Sequence, residues 1–104
     1  MIVEVTYPFT LGHVDSLNNI LGDNSQTITD FPATPQGQKN FLVQLNNIVK
    51  NIPNNKGLGW IYWAPDWTAF ERNQTTSMQG SSYENQCLFD FNHKALPAFE
   101  AFTP

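Results

Sequence analysis

Three segments predict an α/β fold with parallel strands. Ile2-Val3-Glu4-Val5-Thr6 is a β-branched run, and Pro8, which cannot donate to a sheet ladder, closes it. Phe41, Leu42, Leu45, Ile48 and Val49 recur at intervals of three and four behind a Thr34-Pro35 start, the pattern of an amphipathic helix over 35–51. Leu58 to Trp63 is apolar on both faces, as strands covered on both sides of a parallel sheet are. Strand, helix and strand in that order make a right-handed βαβ unit whose strands end on one rim.

Glu4 sits near the exit of the first strand. A charged side chain among β-branched residues costs free energy unless it is paired or functional, and the C-terminal ends of parallel barrel strands are where such residues carry chemistry. The plain alternative is a half-exposed strand glutamate. The polar connection Leu11–Phe31 follows, long enough to be functional or mobile. Leu17, Ile20 and Leu21 fit one or two helical turns, with Asp15 as cap. Asp15, Asp23 and nearby amides carry oxygens suited to Ca²⁺. Gly12, Val14 and Ser16 nevertheless stand where an alternating ligand run would place carboxylates, so a solvated loop is expected.

Thr34 supplies an N-cap oxygen, and Pro35 occupies the first helical position, where its absent N–H is not needed. Lys50 suits the C-terminal end of the helix dipole, Pro53 stops the helix, and Asn54-Asn55-Lys56-Gly57 is turn chemistry. Beyond the second strand, Trp63 and Trp67 flank Ala64-Pro65-Asp66. Such tryptophans are core residues or platforms for the apolar face of a sugar ring. Thr68–Ser82 is a second long polar loop that includes the weak glycosylation pattern Asn73-Gln74-Thr75. Ser82 to Gln86 reads as a capped helical turn in which Glu84 serves as a capping carboxylate. Asp90 to Lys94 is a turn with a solvated His93, and Ala95–Phe102 is a short closing helix with Leu96, Phe99 and Phe102 on one face.

Composition narrows the function. The 104 residues carry a formal net charge of −4 with only five lysines and arginines, scattered along the chain, so there is no basic footprint for nucleic acid or an anionic membrane. No stretch reaches the roughly 20 apolar residues of a membrane span, and the first residues lack the order of a signal peptide. The single cysteine, Cys87, excludes an internal disulfide and reads as a small buried apolar residue.

Five stretches in order carry a resemblance: Glu4-Val5-Thr6-Tyr7-Pro8-Phe9-Thr10, Phe31-Pro32-Ala33-Thr34-Pro35-Gln36-Gly37-Gln38-Lys39, Gly59-Trp60-Ile61-Tyr62-Trp63-Ala64-Pro65-Asp66-Trp67, Glu84-Asn85-Gln86-Cys87-Leu88-Phe89-Asp90 and Ala95-Leu96-Pro97. Together they resemble the C-terminal part of the endo-β-1,4-galactanases of glycoside hydrolase family 53, from about Val3 to Phe102. The resemblance implies that residues 1–104 form a partial glycoside hydrolase catalytic domain, the last two β/α units of a TIM (β/α)8 barrel. A whole barrel needs at least ~200 residues, so the barrel is incomplete in this chain.

It further implies a retaining mechanism with Glu4 as nucleophile, which must be ionised to act. The acid/base lies after the fourth barrel strand, outside these residues. Trp63 matches a residue that lines the cleavage subsite, and Trp67, Tyr83 and Tyr7 are expected to contact substrate. Ala64 stands where many members have Glu, and Tyr83 where they commonly have Trp. Asp66 is expected to contact substrate rather than give the proton, and Asp15, Asp30, Glu71 and Glu100 read as solvated charges. No cofactor or metal is implied, although bacterial members hold calcium in the loops after strands seven and eight. The expected partners are galactan or arabinogalactan, with the remaining barrel units or self-association covering the strand edges. A full-length parent is expected to be extracellular, and the piece by itself inactive for want of a proton donor. The competing reading is a small carbohydrate-binding or interaction module that stacks sugar on Trp60, Trp63, Trp67 and Tyr83.

Overall fold

A computed structural model describes residues 1–70 and 80–102. The segment 71–79, with Glu71 and the Asn73-Gln74-Thr75 pattern, lies outside the described residues. The elements are a strand β1 (Ile2–Val5), a helix α1 (Pro35–Lys50) and a strand β2 (Trp60–Tyr62), with short 3-10 turns at Asn24–Gln26, Pro53–Asn55 and Pro97–Phe102. β1 and β2 pair in parallel as a two-stranded sheet, which confirms the βαβ unit.

α1 begins as its sequence dictates. The Thr34 hydroxyl accepts the Gly37 N–H at 2.9 Å behind Pro35, and Asn51 caps the far end through the Asn47 carbonyl. Its buried positions are Gly37, Gln38, Leu42 and Val49, with Phe41 and Leu45 packed against the core. Ile48, expected on that face, is 55% exposed. The core gathers Val5, Phe9, Leu42, Tyr62, Cys87, Leu88, Leu96, Ala98 and Ala101 on the helix side of the sheet. The closing 3-10 turn packs along α1, where the Asn46 amide donates to the Ala101 carbonyl.

A buried polar hub ties the strand ends to the helix. The Gln38 amide donates to the carbonyls of Tyr7 and Cys87 at 2.9 Å each, while the Tyr62 hydroxyl donates to the Gln86 carbonyl and accepts the Tyr7 N–H. One side chain on α1 thus fixes the exits of both strands and the segment that follows them.

Two expected elements differ. β2 is confined to 60–62 because Gly59, at φ 129, turns the chain just before it and leaves Leu58 78% exposed. The stretch 15–21 forms bends instead of helical turns, since the Asp15 carboxylate accepts the Leu17 N–H at 2.7 Å and competes with helical bonding. The capped turn lies later, at Asn24–Gln26, where Asp23 and Gln26 form a reciprocal capping box.

Candidate active site

β1 carries an irregularity where the site begins. Ile2 aligns with Trp60 and Val5 with Tyr62, so β1 spends one more residue than β2 over the same span. Glu4 takes up that residue in the left-handed region at φ 61. A bulge of this kind re-aims a side chain, and such strain in a non-glycine residue is concentrated at functional positions. Val5 turns inward to the core, whereas Glu4 and Val3 are exposed.

On β2, Tyr62 is buried while Ile61 and Trp63 are about half exposed, at 48% each. The Trp63 N–H donates to the Val5 carbonyl at 2.8 Å, which sets Trp63 beside the residue that follows Glu4. The Trp63–Ala64 peptide is cis. From Trp63 an aromatic row runs outward. Its ring meets Trp67 edge to face at 5.9 Å between centroids, and Trp67 meets Tyr83 at 5.0 Å. Beyond the row lies an open cleft of about 730 Å³ lined by Asp66, Trp67, Thr68, Ser81, Ser82 and Tyr83, among others. Aromatic walls with hydroxyls and one carboxylate are the chemistry that holds a polyhydroxylated ring.

The ring contacts join Trp63, Trp67 and Tyr83 in one row, and the Trp63 backbone pairs with Val5, the residue after Glu4. Tyr7 does not join them. It is 5% exposed, its ring stacks on Phe41 at 4.2 Å, and its hydroxyl donates to the Phe31 carbonyl and accepts the Ile28 N–H. Trp60 is structural too, with its indole N–H on Asn46 and its ring against Phe102.

The other acids also find their places. Asp66 is exposed and lines the cleft. Glu84 is not a surface cap: it is completely buried, and its Oε1 accepts the Val14 N–H at 2.7 Å across the fold. Burial pushes its carboxyl above the usual range, opposed by that bond and reinforced by the Asp15 charge. Asp15 bridges rather than floats, its Oδ2 accepting the Ser81 N–H at 2.8 Å. His93 is exposed, with Nε2 2.7 Å from the Ala69 carbonyl. Cys87 is buried, as its apolar reading predicts, and burial raises its thiol. Among the described residues no group of three or more His, Cys, Asp and Glu is placed to hold a metal ion. Also among them, no helix is long and apolar enough to cross a membrane.

Two parallel strands joined through a helix make a βαβ unit, the building block of α/β folds. Comparison with known proteins makes the class particular. Residues 1–102 match the model of glycosyl hydrolase family 53, and the chain belongs to that family. It is 42% identical over 104 residues to an arabinogalactan endo-β-1,4-galactanase of Cellvibrio japonicus, covering 98% of this chain and 26% of that protein. It is 28% identical over 131 residues to the endo-β-1,4-galactanase of Bacillus subtilis, covering 98% of the chain and 30% of the relative. The GH53 catalytic domain of Ignisphaera aggregans superposes with a TM-score of 0.83 at 33% identity, over 96% of this chain and 28% of that one. The chain thus spans about a quarter of the length of the curated relatives it matches, and its fold is part of a TIM barrel.

Proposed function

We propose that this chain is the nucleophile-bearing portion, the last two β/α units, of a retaining endo-β-1,4-galactanase that cleaves galactan or arabinogalactan. The observation that carries the reading is Glu4, held exposed at φ 61 in the bulge of β1, beside Trp63 at the head of the row that continues to Trp67 and Tyr83. The Glu4 carboxylate attacks the anomeric carbon of a galactosyl residue as the glycosidic C–O bond breaks and the leaving oxygen is protonated, giving a glycosyl ester. Water then attacks the same carbon, loses a proton to the same acid/base and releases Glu4. That second carboxyl must stand ~5–5.5 Å from Glu4 and is supplied from outside these residues. Trp63, Trp67 and Tyr83 stack on successive sugar rings, and Asp66 accepts hydrogen bonds from their hydroxyls. No metal or cofactor takes part in these steps.

Two assays test it. The isolated chain should release no reducing ends from linear β-1,4-galactan. Placed in the Cellvibrio japonicus relative in exchange for the matching segment, it should give an active chimera, and Glu4→Gln in that chimera should cost at least ~10⁴-fold in kcat, the scale lost when a nucleophile is removed. A folded, galactan-binding chimera whose activity survives Glu4→Gln would refute the assignment. The exposed aromatic row also favours a second reading, a sugar-binding module without catalysis. That reading predicts galacto-oligosaccharide binding by the isolated chain that Glu4→Ala leaves unchanged.

A further inference from the structure

Among the described residues Glu84 is the one carboxylate that is fully buried, and the catalytic steps give it no task. Its Oε1 accepts the Val14 N–H at 2.7 Å, while Oε2 is buried without a hydrogen-bond partner. An apolar side chain would bury more cheaply there, so packing alone does not account for the residue. What the side chain offers is an acceptor for the Val14 N–H.

The place of that bond is specific. The stretch 10–21 leaves β1 without helix or strand, so it has no ladder of its own to fix its course. It is held by contacts with the 80–86 turn. The Ser81 N–H goes to Asp15, the Ile20 N–H to the Ser82 carbonyl, and the Asn85 amide to the carbonyls of Thr10 and Leu21 at 2.7 Å each. Gly80, at φ 98, lets the turn come so close that a Cβ there would lie 1.9 Å from the Asp15 carboxylate. Glu84 sits inside this seam, and its chain neighbour Tyr83 is the outer member of the aromatic row, 5.0 Å from Trp67.

We propose that Glu84 is a positioning residue: by accepting the Val14 N–H it fastens the 10–21 stretch to the 80–86 turn and so holds Tyr83 edge-on to Trp67, setting the outer wall of the sugar cleft. For its consequence in sugar binding, the inference rests on the reading of the row as a stacking platform. The charged groups that face Glu84 are Asp15, which opposes its ionisation, and His13, which favours it.

The test uses the full chain with Glu84→Gln, which keeps an acceptor at Oε1, and Glu84→Ala, which does not. Amide exchange at Val14 should speed up about tenfold or more in Glu84→Ala and by less than about twofold in Glu84→Gln, while the α1 amides stay protected in both. The Tyr83–Trp67 ring contact seen by NMR should be lost only in Glu84→Ala, and β-1,4-galactotetraose should bind that variant about tenfold more weakly. Unchanged Val14 exchange and an intact ring contact in Glu84→Ala would overturn the proposal. So would a Glu84→Gln variant that loses both as fully as alanine does, or loss of α1 protection alongside Val14, which would mean general unfolding. If the wild type binds no galactotetraose, the stacking reading fails by itself, and the exchange and ring-contact data still decide the role of Glu84.

Discussion

Replacing Gln38 by methionine isolates the hydrogen bonds that tie α1 to the strand exits. The two side chains are close in volume, so packing at position 38 is kept. What goes is the Nε2 donor, bonded to the Tyr7 and Cys87 carbonyls at 2.9 Å each. Each such bond contributes ~0.5–1.5 kcal/mol net, and a buried acceptor left bare costs about 1–3 kcal/mol. The Tyr7 carbonyl retains a share of the Tyr62 hydroxyl at 3.1 Å, so most of the penalty falls on Cys87. Against this, the Gln38 Oε1 is itself buried without a partner, and removing it recovers ~1 kcal/mol. The balance is a loss of about 1–3 kcal/mol, or roughly 5–20 °C in Tm for a chain of this size. Thermal unfolding followed by far-UV circular dichroism reads it directly. A variant that melts at or above the wild-type temperature would show that the hub does not hold the strand exits together.

Gly37→Ala should lower stability by ~1–3 kcal/mol in urea titrations although alanine favours helix, because its Cβ would lie 1.8 Å from the Pro32 carbonyl oxygen; an unchanged midpoint counts against that close approach. Trp67→Ala, at a ring 42% exposed, should weaken galacto-oligosaccharide binding about tenfold by calorimetry with little change in Tm; the converse pattern would make Trp67 a packing residue. Burial raises the Glu84 carboxyl, so the folded chain binds its proton more tightly than the unfolded chain. That contribution to stability is present at acid pH, is lost as pH rises from the unfolded value of ~4.3 through the folded one, and is level above it. The Tm of the wild type should therefore gain on that of Glu84→Gln as pH falls from neutral toward ~4, and parallel curves would contradict the burial of an ionised Glu84.

What was legible in the sequence is what neighbours in the chain decide. Thr34-Pro35 and the three-four spacing of Leu42, Leu45 and Val49 define α1 because caps and helical faces are local. The strand exits of Glu4 and Trp63 were legible because Pro8 and Pro65 punctuate them. The cost of ending β2 at Tyr62 was not, since Gly59 turns the backbone where an apolar run suggested more strand. Tyr7 lies just beyond a strand whose alternation ends at a bulge, and only the Phe31 carbonyl and the Phe41 ring, brought in by α1, show that it points inward. The role of Glu84 depends on Val14, which is distant in the chain, so no local pattern around it distinguishes a latch from a cap.

The exposed apolar residues have a common cause. α1 covers Val5 and Tyr62, while Ile61 and Trp63, on the opposite face of β2 from Tyr62, are 48% exposed each. Among the described residues the sheet has only two strands, so each has an outer edge with no strand beside it, a template for pairing with another chain. In a closed barrel the neighbouring strands pair those edges, and the interior layers cover that face. On the proposed reading, the strands that would do so belong to the same barrel that carries the proton donor for Glu4. On that reading the isolated chain is expected to self-associate and to lack turnover for one and the same reason. Sedimentation should show dimers or larger species that disappear in the active chimera, and a stable monomer at high concentration would show that the open face is tolerated without the rest of the barrel.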